Sequence, residues 1–194
     1  GVALGFLSGQ VRSASTEYLA EDARQLAATG THEVAAAKYA ALAETDPSNP
    51  EWRRRKAREL ASSGRADPEL ARGEFLQALQ LMVRGRQLAE ALDTFIEADG
   101  IVGTPGLDHT TLLAVAAEAE RRPDWVTAER LYLRVIEERG GTPAAEKALF
   151  RLAHVYLGMG ARDRAAMTWG AFTDLHPDSE WCAFADPALR SAAG

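Results

Sequence analysis

Four times along this chain an alanine is followed four residues later by an aromatic ring, three residues on by an apolar residue, and five further on by a helix breaker. The four copies are Ala35, Tyr39, Leu42 and Pro47; Ala91, Phe95, Ala98 and Gly103; Ala128, Tyr132, Val135 and Gly140; and Ala165, Trp169, Phe172 and Pro177. Steps of four and three keep the first three members of each copy on one face of a helix. The alanine admits a neighbouring helix at close range, the ring fills the space between helices, and the proline or glycine stops the helix. Ahead of each copy lies a second amphipathic segment: Leu19, Ala23 and Leu26; Phe75, Leu79 and Met82; Leu112, Ala116 and Ala119; Leu149, Leu152, Ala153 and Tyr156. A pair of helices this short cannot bury its own apolar faces, so the pairs must stack on one another.

Alternating runs and β-branched clusters of the kind that make strands are nearly absent. Breakers at Gly30, Asp46 to Pro50, Ser62 to Pro68, Gly85, Gly100 to Gly106, Pro123, Gly140 to Pro143, Gly158 to Gly160 and Pro177 divide the chain into segments of one helix each. The reading is all-α, with about nine or ten helices of ordinary length. Pro50, Pro68 and Pro143 stand where helices begin, because the first turn has no use for their missing N–H. With 194 residues, 46% of them hydrophobic, the chain has enough apolar surface to fill a core.

The paired segments resemble tetratricopeptide (TPR) repeats, whose first helix carries a large residue, a leucine, a small residue and a tyrosine, and whose second carries alanine, aromatic and proline. The units fall near 16–49, 72–105, 109–142 and 146–179. The last is the fullest match, with Leu149, Leu152, Ala153, Tyr156, Gly160, Ala165, Trp169 and Pro177 in register, whereas Asp22 in the first stands where the motif has leucine. Successive signature alanines are separated by 56, 37 and 37 residues, against about 34 in the family. The excess in the first interval is one extra helix, 51–62, read as unpaired or as half a repeat. The resemblance implies antiparallel helix pairs in a right-handed solenoid, with 180–194 as a C-terminal cap in which Cys182 packs beside Trp181. An irregular helical bundle is the competing reading. Residues expected between the helices are Ala35, Tyr39, Ala91, Phe95, Ala128, Tyr132, Leu149, Tyr156, Ala165 and Trp169.

A formal charge of −6 gives no overall attraction to nucleic acid or to anionic lipid. Cys182 is the only cysteine, and His32, His109, His154 and His176 are dispersed without metal-binding or triad spacing. No glycine-rich phosphate loop follows a strand. The expectation is a chain with no catalytic residues, metal or cofactor of its own. One basic run, Arg53, Arg54, Arg55, Lys56 and Arg58 behind Trp52, has two readings. It is either a site for an anionic headgroup or acidic peptide, or a helix face balanced by neighbouring glutamates.

In the family the resemblance points to, the first helix of each pair lines the concave face that holds a ligand. One register there carries Ala20, Leu76, Leu113 and Phe150; the next carries Arg24, Gln80, Ala117 and His154; the third carries Ala28, Arg84, Arg121 and Gly158. With Lys147 one turn before Phe150, the candidate groove residues are Arg24, Leu76, Gln80, Arg84, Leu113, Arg121, Lys147, Phe150 and His154. An apolar strip rimmed by arginine suits a peptide with apolar anchors and some acidic residues. The alternative, that Leu76 and Leu113 pack against the neighbouring repeat, stays open. Family members that grip a terminal carboxylate use lysine and asparagine. With three lysines and one asparagine in the whole chain, that partner class is disfavoured. The expected function is a non-catalytic scaffold for a peptide or partner protein, located in the cytoplasm.

The first nine residues, GVALGFLSG, are apolar with glycines at 1, 5 and 9, and Arg12 follows. Nine residues cannot cross a bilayer, which takes about 20, and the stretch lacks the features of a secretory signal. A glycine stripe of this kind lets transmembrane helices approach closely. The stretch is similar to the tail of the last transmembrane helix of rhomboid-type intramembrane proteases, which implies a catalytic serine and histidine upstream and a cytoplasmic regulatory appendage here. The other reading is an amphipathic first helix over 1–15 that caps the repeats.

Overall fold

A computed structural model describes the backbone of residues 2–192 and the side chains of residues 14–191. Among the described residues the fold is all-α, with ten α-helices and one 3-10 turn and no strand. In chain order the helices are α1 Val2–Ala28, α2 His32–Thr45, α3 Pro50–Ser63, α4 Pro68–Arg84, α5 Leu88–Val102, α6 His109–Arg121, α7 Trp125–Glu138, α8 Pro143–Gly158, α9 Arg162–Leu175 and, after the 3-10 turn Glu180–Phe184, α10 Pro187–Ala192. The apolar start and the first polar segment belong to one uninterrupted helix, α1. What the side chains of Gly1 to Gly9 do lies outside the described residues.

The chain forms two compact units, one running to Gly106 and the other beginning at Leu107. In the first, each helix packs on the next from α1 to α5. In the second, α6 to α9 do the same, α6 also meets α8, and α10 closes on α9 and α8.

The repeated pattern is a burial pattern. Ala35, Ala91, Ala128 and Ala165 are wholly enclosed, and Tyr39, Phe95, Tyr132 and Trp169 are buried, as are Leu42, Ala98, Val135 and Phe172. Tyr156 is buried as expected, but Leu149 is only half-buried, as is Leu19 at the same register of the first repeat. Their counterparts Phe75 and Leu112 are fully enclosed.

The turns inside the pairs repeat as faithfully as the core. The N–H of Thr31 donates to Leu26 O, Gln87 to Met82 O, Asp124 to Ala119 O and Ala161 to Tyr156 O, all at 2.8 to 2.9 Å. These bonds close a Schellman turn, which needs a left-handed residue just before the donor. Gly30 (φ 79°), Arg86 (φ 58°) and Gly160 (φ 73°) hold that conformation. The next helix then starts with the signature alanine donating to the turn: Ala35 to Thr31 O, Ala91 to Gln87 O, Ala128 to Asp124 O and Ala165 to Ala161 O. Other starts are capped by side chains, as where Asn49 Oδ1 accepts from Glu51 N–H and Asp108 Oδ1 from Thr111 N–H, each at 3.0 Å.

The extra helix expected at 51–62 is present as α3, but it is not unpaired: it packs on both α2 and α4 and touches α5. It fully buries only Ala57 and Glu59, so its packing is unusually polar. The carboxylate of Glu59 faces His32 Nδ1 at 2.7 Å, which ties α3 to the start of α2. The second unit holds a part-buried polar cluster. Tyr132 on α7 donates its hydroxyl to Glu120 Oε2 on α6 at 3.1 Å, and Arg151 on α8 donates to both oxygens of Glu120 at 2.9 and 2.8 Å. Burial, reinforced by the Glu120 charge, pushes the Tyr132 hydroxyl well above its ordinary range, so it stays protonated and a donor.

Candidate functional site

In the first unit, residues 16, 17, 20 and 24 of α1 lie along one helix face. This face stands opposite Trp52 and Arg55, three residues apart on α3. Together Thr16, Glu17, Ala20, Arg24, Trp52 and Arg55 line a cleft of about 310 Å³. The Trp52 ring stacks on buried Tyr39, with centroids 6.4 Å apart and planes 17° from parallel. The Arg55 guanidinium lies 5.9 Å from the Tyr39 centroid and 5.8 Å from that of Trp52, and its Nε donates to Glu51 Oε1 at 2.7 Å. Burial alone would lower the Arg55 pKa, but hydrogen bonds to Glu51 and Tyr39 outweigh it and the guanidinium is held more firmly protonated than usual. Trp52 Nε1 is buried without an acceptor. Arg24, more than half exposed, pairs with Glu21 within its own helix. The cleft thus offers an apolar floor of Ala20 and Trp52 beside two arginines, each paired with a glutamate of its own helix.

Of the residues expected in a groove, only Arg24 lies in this cleft. Leu76 and Gln80 are half-buried on α4, one turn apart, and Arg84 is exposed at the end of that helix. In the second unit Leu113 is half-buried on α6, and Arg121 is exposed and bound to Glu118. Lys147, Phe150 and His154 do share one face of α8, but that face is covered. Phe150 is 2% exposed, packed against Phe172, Trp169 and Trp181. Its expected place as an open groove residue is therefore corrected: the residues after α9 fold back onto α8. Lys147 Nζ sits 5.7 Å from the Trp181 ring centre, and Asp186 N–H donates to His154 Nε2 at 3.3 Å. Because Nε2 accepts there, the ring proton is on Nδ1, which donates to Phe150 O at 3.0 Å.

Each member of the basic run pairs with a carboxylate of its own unit. Arg53 and Lys56 pair with Glu74 on α4 at 3.1 and 2.7 Å, Arg54 and Arg58 with Glu97 on α5 at 2.6 Å each, and Arg55 with Glu51. Five cations thus share three carboxylates, two of them supplied by other helices and Glu51 by α3 itself. The residues that reading the sequence missed are Thr16, Glu17 and the ring of Trp52. The signal that could have found Trp52 is its three-residue step to Arg55, which places ring and cation on one face.

Neither a protein-family model nor a curated protein matches the chain. Among solved structures, BtubC (BKLC) from P. vanneervenii is similar, with 18% identity, 92% of this chain and 78% of that one covered, and a TM-score of 0.42. A likeness at that level does not bear on function.

Proposed function

We propose that this chain is a non-catalytic protein-interaction module built of TPR-like helix pairs. It takes a peptide or a partner protein whose apolar or aromatic side chain, next to an acidic group, enters the cleft between α1 and α3. The observation that carries this is the pairing of the Trp52–Ala20 floor with Arg24 and Arg55 on the rim, the arrangement an apolar anchor beside a carboxylate requires. The repeat reading is supported by three Schellman turns, a fourth turn closed by the same long backbone bond, and four buried alanines at the same register. The test is an array of synthetic peptides that place an aromatic residue beside glutamate or aspartate, probed with the parent and with Arg24→Glu. Among the described residues Arg24 pairs with Glu21 of its own helix, so the variant should fold normally. It is expected to weaken the peptides bound by the parent by about tenfold or more; unchanged binding of all of them would remove the cleft from consideration.

A second reading has one observation in its favour: α1 is continuous from Val2, so the apolar glycine-spaced stretch and the first helix of the first repeat are one helix. In this reading the module is the cytoplasmic regulatory part of a membrane enzyme such as a rhomboid-type protease. Among the described residues no helix is long and apolar enough to cross a membrane. Alkaline extraction of membranes carrying the native gene product decides it: release of the protein with the peripheral fraction would sink the reading.

A further inference from the structure

The residues after α9 do more than end the chain. Ser179 caps the 3-10 turn, its Oγ accepting from Trp181 N–H at 3.2 Å, and the same hydroxyl donates to Glu146 on α8. Trp181 then lies over Phe150 with ring centres 5.4 Å apart, beside the Lys147 ammonium. Five residues on, the Asp186 backbone N–H reaches His154, and Leu189 is wholly buried, with Arg190 donating to Ala185 O at 2.9 Å to close the turn. Leu189 and Ala185 pack as core residues do, but the 3-10 turn before them is more open: it buries no residue fully, Trp181 is half-exposed and Phe184 is 69% exposed. An aromatic anchor over a ring, a flanking cation and a main-chain donor to a side-chain acceptor are the contacts of a bound peptide.

We propose that Ser179–Arg190 is an intramolecular ligand of α8, occupying the face formed by Lys147, Phe150 and His154. A partner segment of the same chemistry, a tryptophan anchor followed by small residues and a leucine, binds there only when the tail lifts away. This rests on taking the first helices of the repeats as ligand-bearing. A tail joined to α9 by three residues acts at an effective concentration on the order of millimolar, so a free segment of equal intrinsic affinity is excluded from the intact chain at ordinary concentrations.

The probe is a fluorescein-labelled synthetic peptide with the sequence of residues 179–191. In fluorescence anisotropy the parent chain is expected to show no saturable binding, while Trp181→Ala, which loosens the tail but leaves α8 unaltered, binds the peptide at least about tenfold more tightly. Adding His154→Leu to that variant removes the acceptor and weakens binding again. Equal binding by parent and Trp181→Ala, or no binding by a Trp181→Ala chain with the parent's helical circular dichroism, overturns the proposal. Should Trp181→Ala lose its helical signal, amide hydrogen exchange of the unaltered chain decides. Exchange of amides 181–190 through an opening separate from α8 and α9 supports the intramolecular ligand, and exchange only together with those helices overturns it. Arg24→Glu bears on the α1–α3 cleft and not on α8, so either result leaves the other to stand or fall by itself.

Discussion

Gly158, the last residue of α8, lies so close to the indole of Trp125, the first residue of α7, that a methyl group on its Cα would meet three ring carbons at 2.6, 2.8 and 2.9 Å. An indole cannot bend out of the way, so the antiparallel packing of α7 and α8 depends on the missing side chain. Gly158→Ala is expected to cost about 1–3 kcal/mol as an overpacking change. Gly170, inside α9 with nothing within 4 Å of a built Cβ, is the control. There alanine is expected to stabilise by about 0.5–1 kcal/mol through helix propensity alone. Urea midpoints that move in the same direction for the two variants would contradict the contact.

Trp169 is buried between Phe172, stacked at 5.3 Å, and Phe150 at 6.4 Å. Trp169→Ala is expected to cost about 3–5 kcal/mol, as a large-to-small core change. Ala165, one turn earlier and wholly enclosed, has no room for growth, and Ala165→Leu is expected to cost about 1–3 kcal/mol. An unchanged denaturant midpoint for either variant would mean that the repeat register is wrong.

The alanines and rings were legible because a repeated helix pair must bury the same positions each time, and spacing alone reveals them. The surroundings of Phe150 were not legible, since its register in the repeat says where a ligand would lie, whereas what covers it is Trp181, 31 residues later. The basic run was ambiguous for the same reason. Its counter-charges Glu74 and Glu97 come from α4 and α5, a pairing fixed by how α3 docks rather than by anything near Arg53 in sequence. The α1–α3 cleft likewise exists only because α3 packs on α2, which places Trp52 opposite Arg24.

Arg86 occupies the left-handed position of the turn between α4 and α5, which Gly30 and Gly160 fill in the first and last repeats. A side chain there crowds the following carbonyl, at a cost of roughly 1–2 kcal/mol. Its N–H still donates to Val83 O at 3.1 Å, so the turn geometry is kept at that cost. Arg86→Gly is expected to raise stability by about 0.5–1 kcal/mol once the extra freedom of glycine in the unfolded chain is set against the relief. A lowered thermal midpoint would show that the Arg86 side chain contributes more than its backbone costs.

Glu97 accepts from Arg54 and Arg58, joining α3 to α5. Burial would raise its pKa, but the hydrogen bonds from Arg58 and Arg54 outweigh that and hold it below the ordinary glutamate range. A carboxylate whose pKa is lower folded than unfolded binds fewer protons in the native state. Its contribution is therefore full above the unfolded value of about 4.3 and is lost as pH falls through the folded value. Glu97→Gln keeps the shape and removes the charge. At pH 7 the variant is expected to be less stable by about 1 kcal/mol, a modest figure because both arginines keep contact with water and Arg54 retains Glu51 at 3.7 Å. As pH falls below the unfolded value and through the lower folded one, the parent loses the same interaction and the two unfolding curves should converge. Urea titrations of both chains from pH 7 to pH 3 measure this; a stability gap that stays constant across that range would show that Glu97 holds α3 to α5 by its shape and not by its charge.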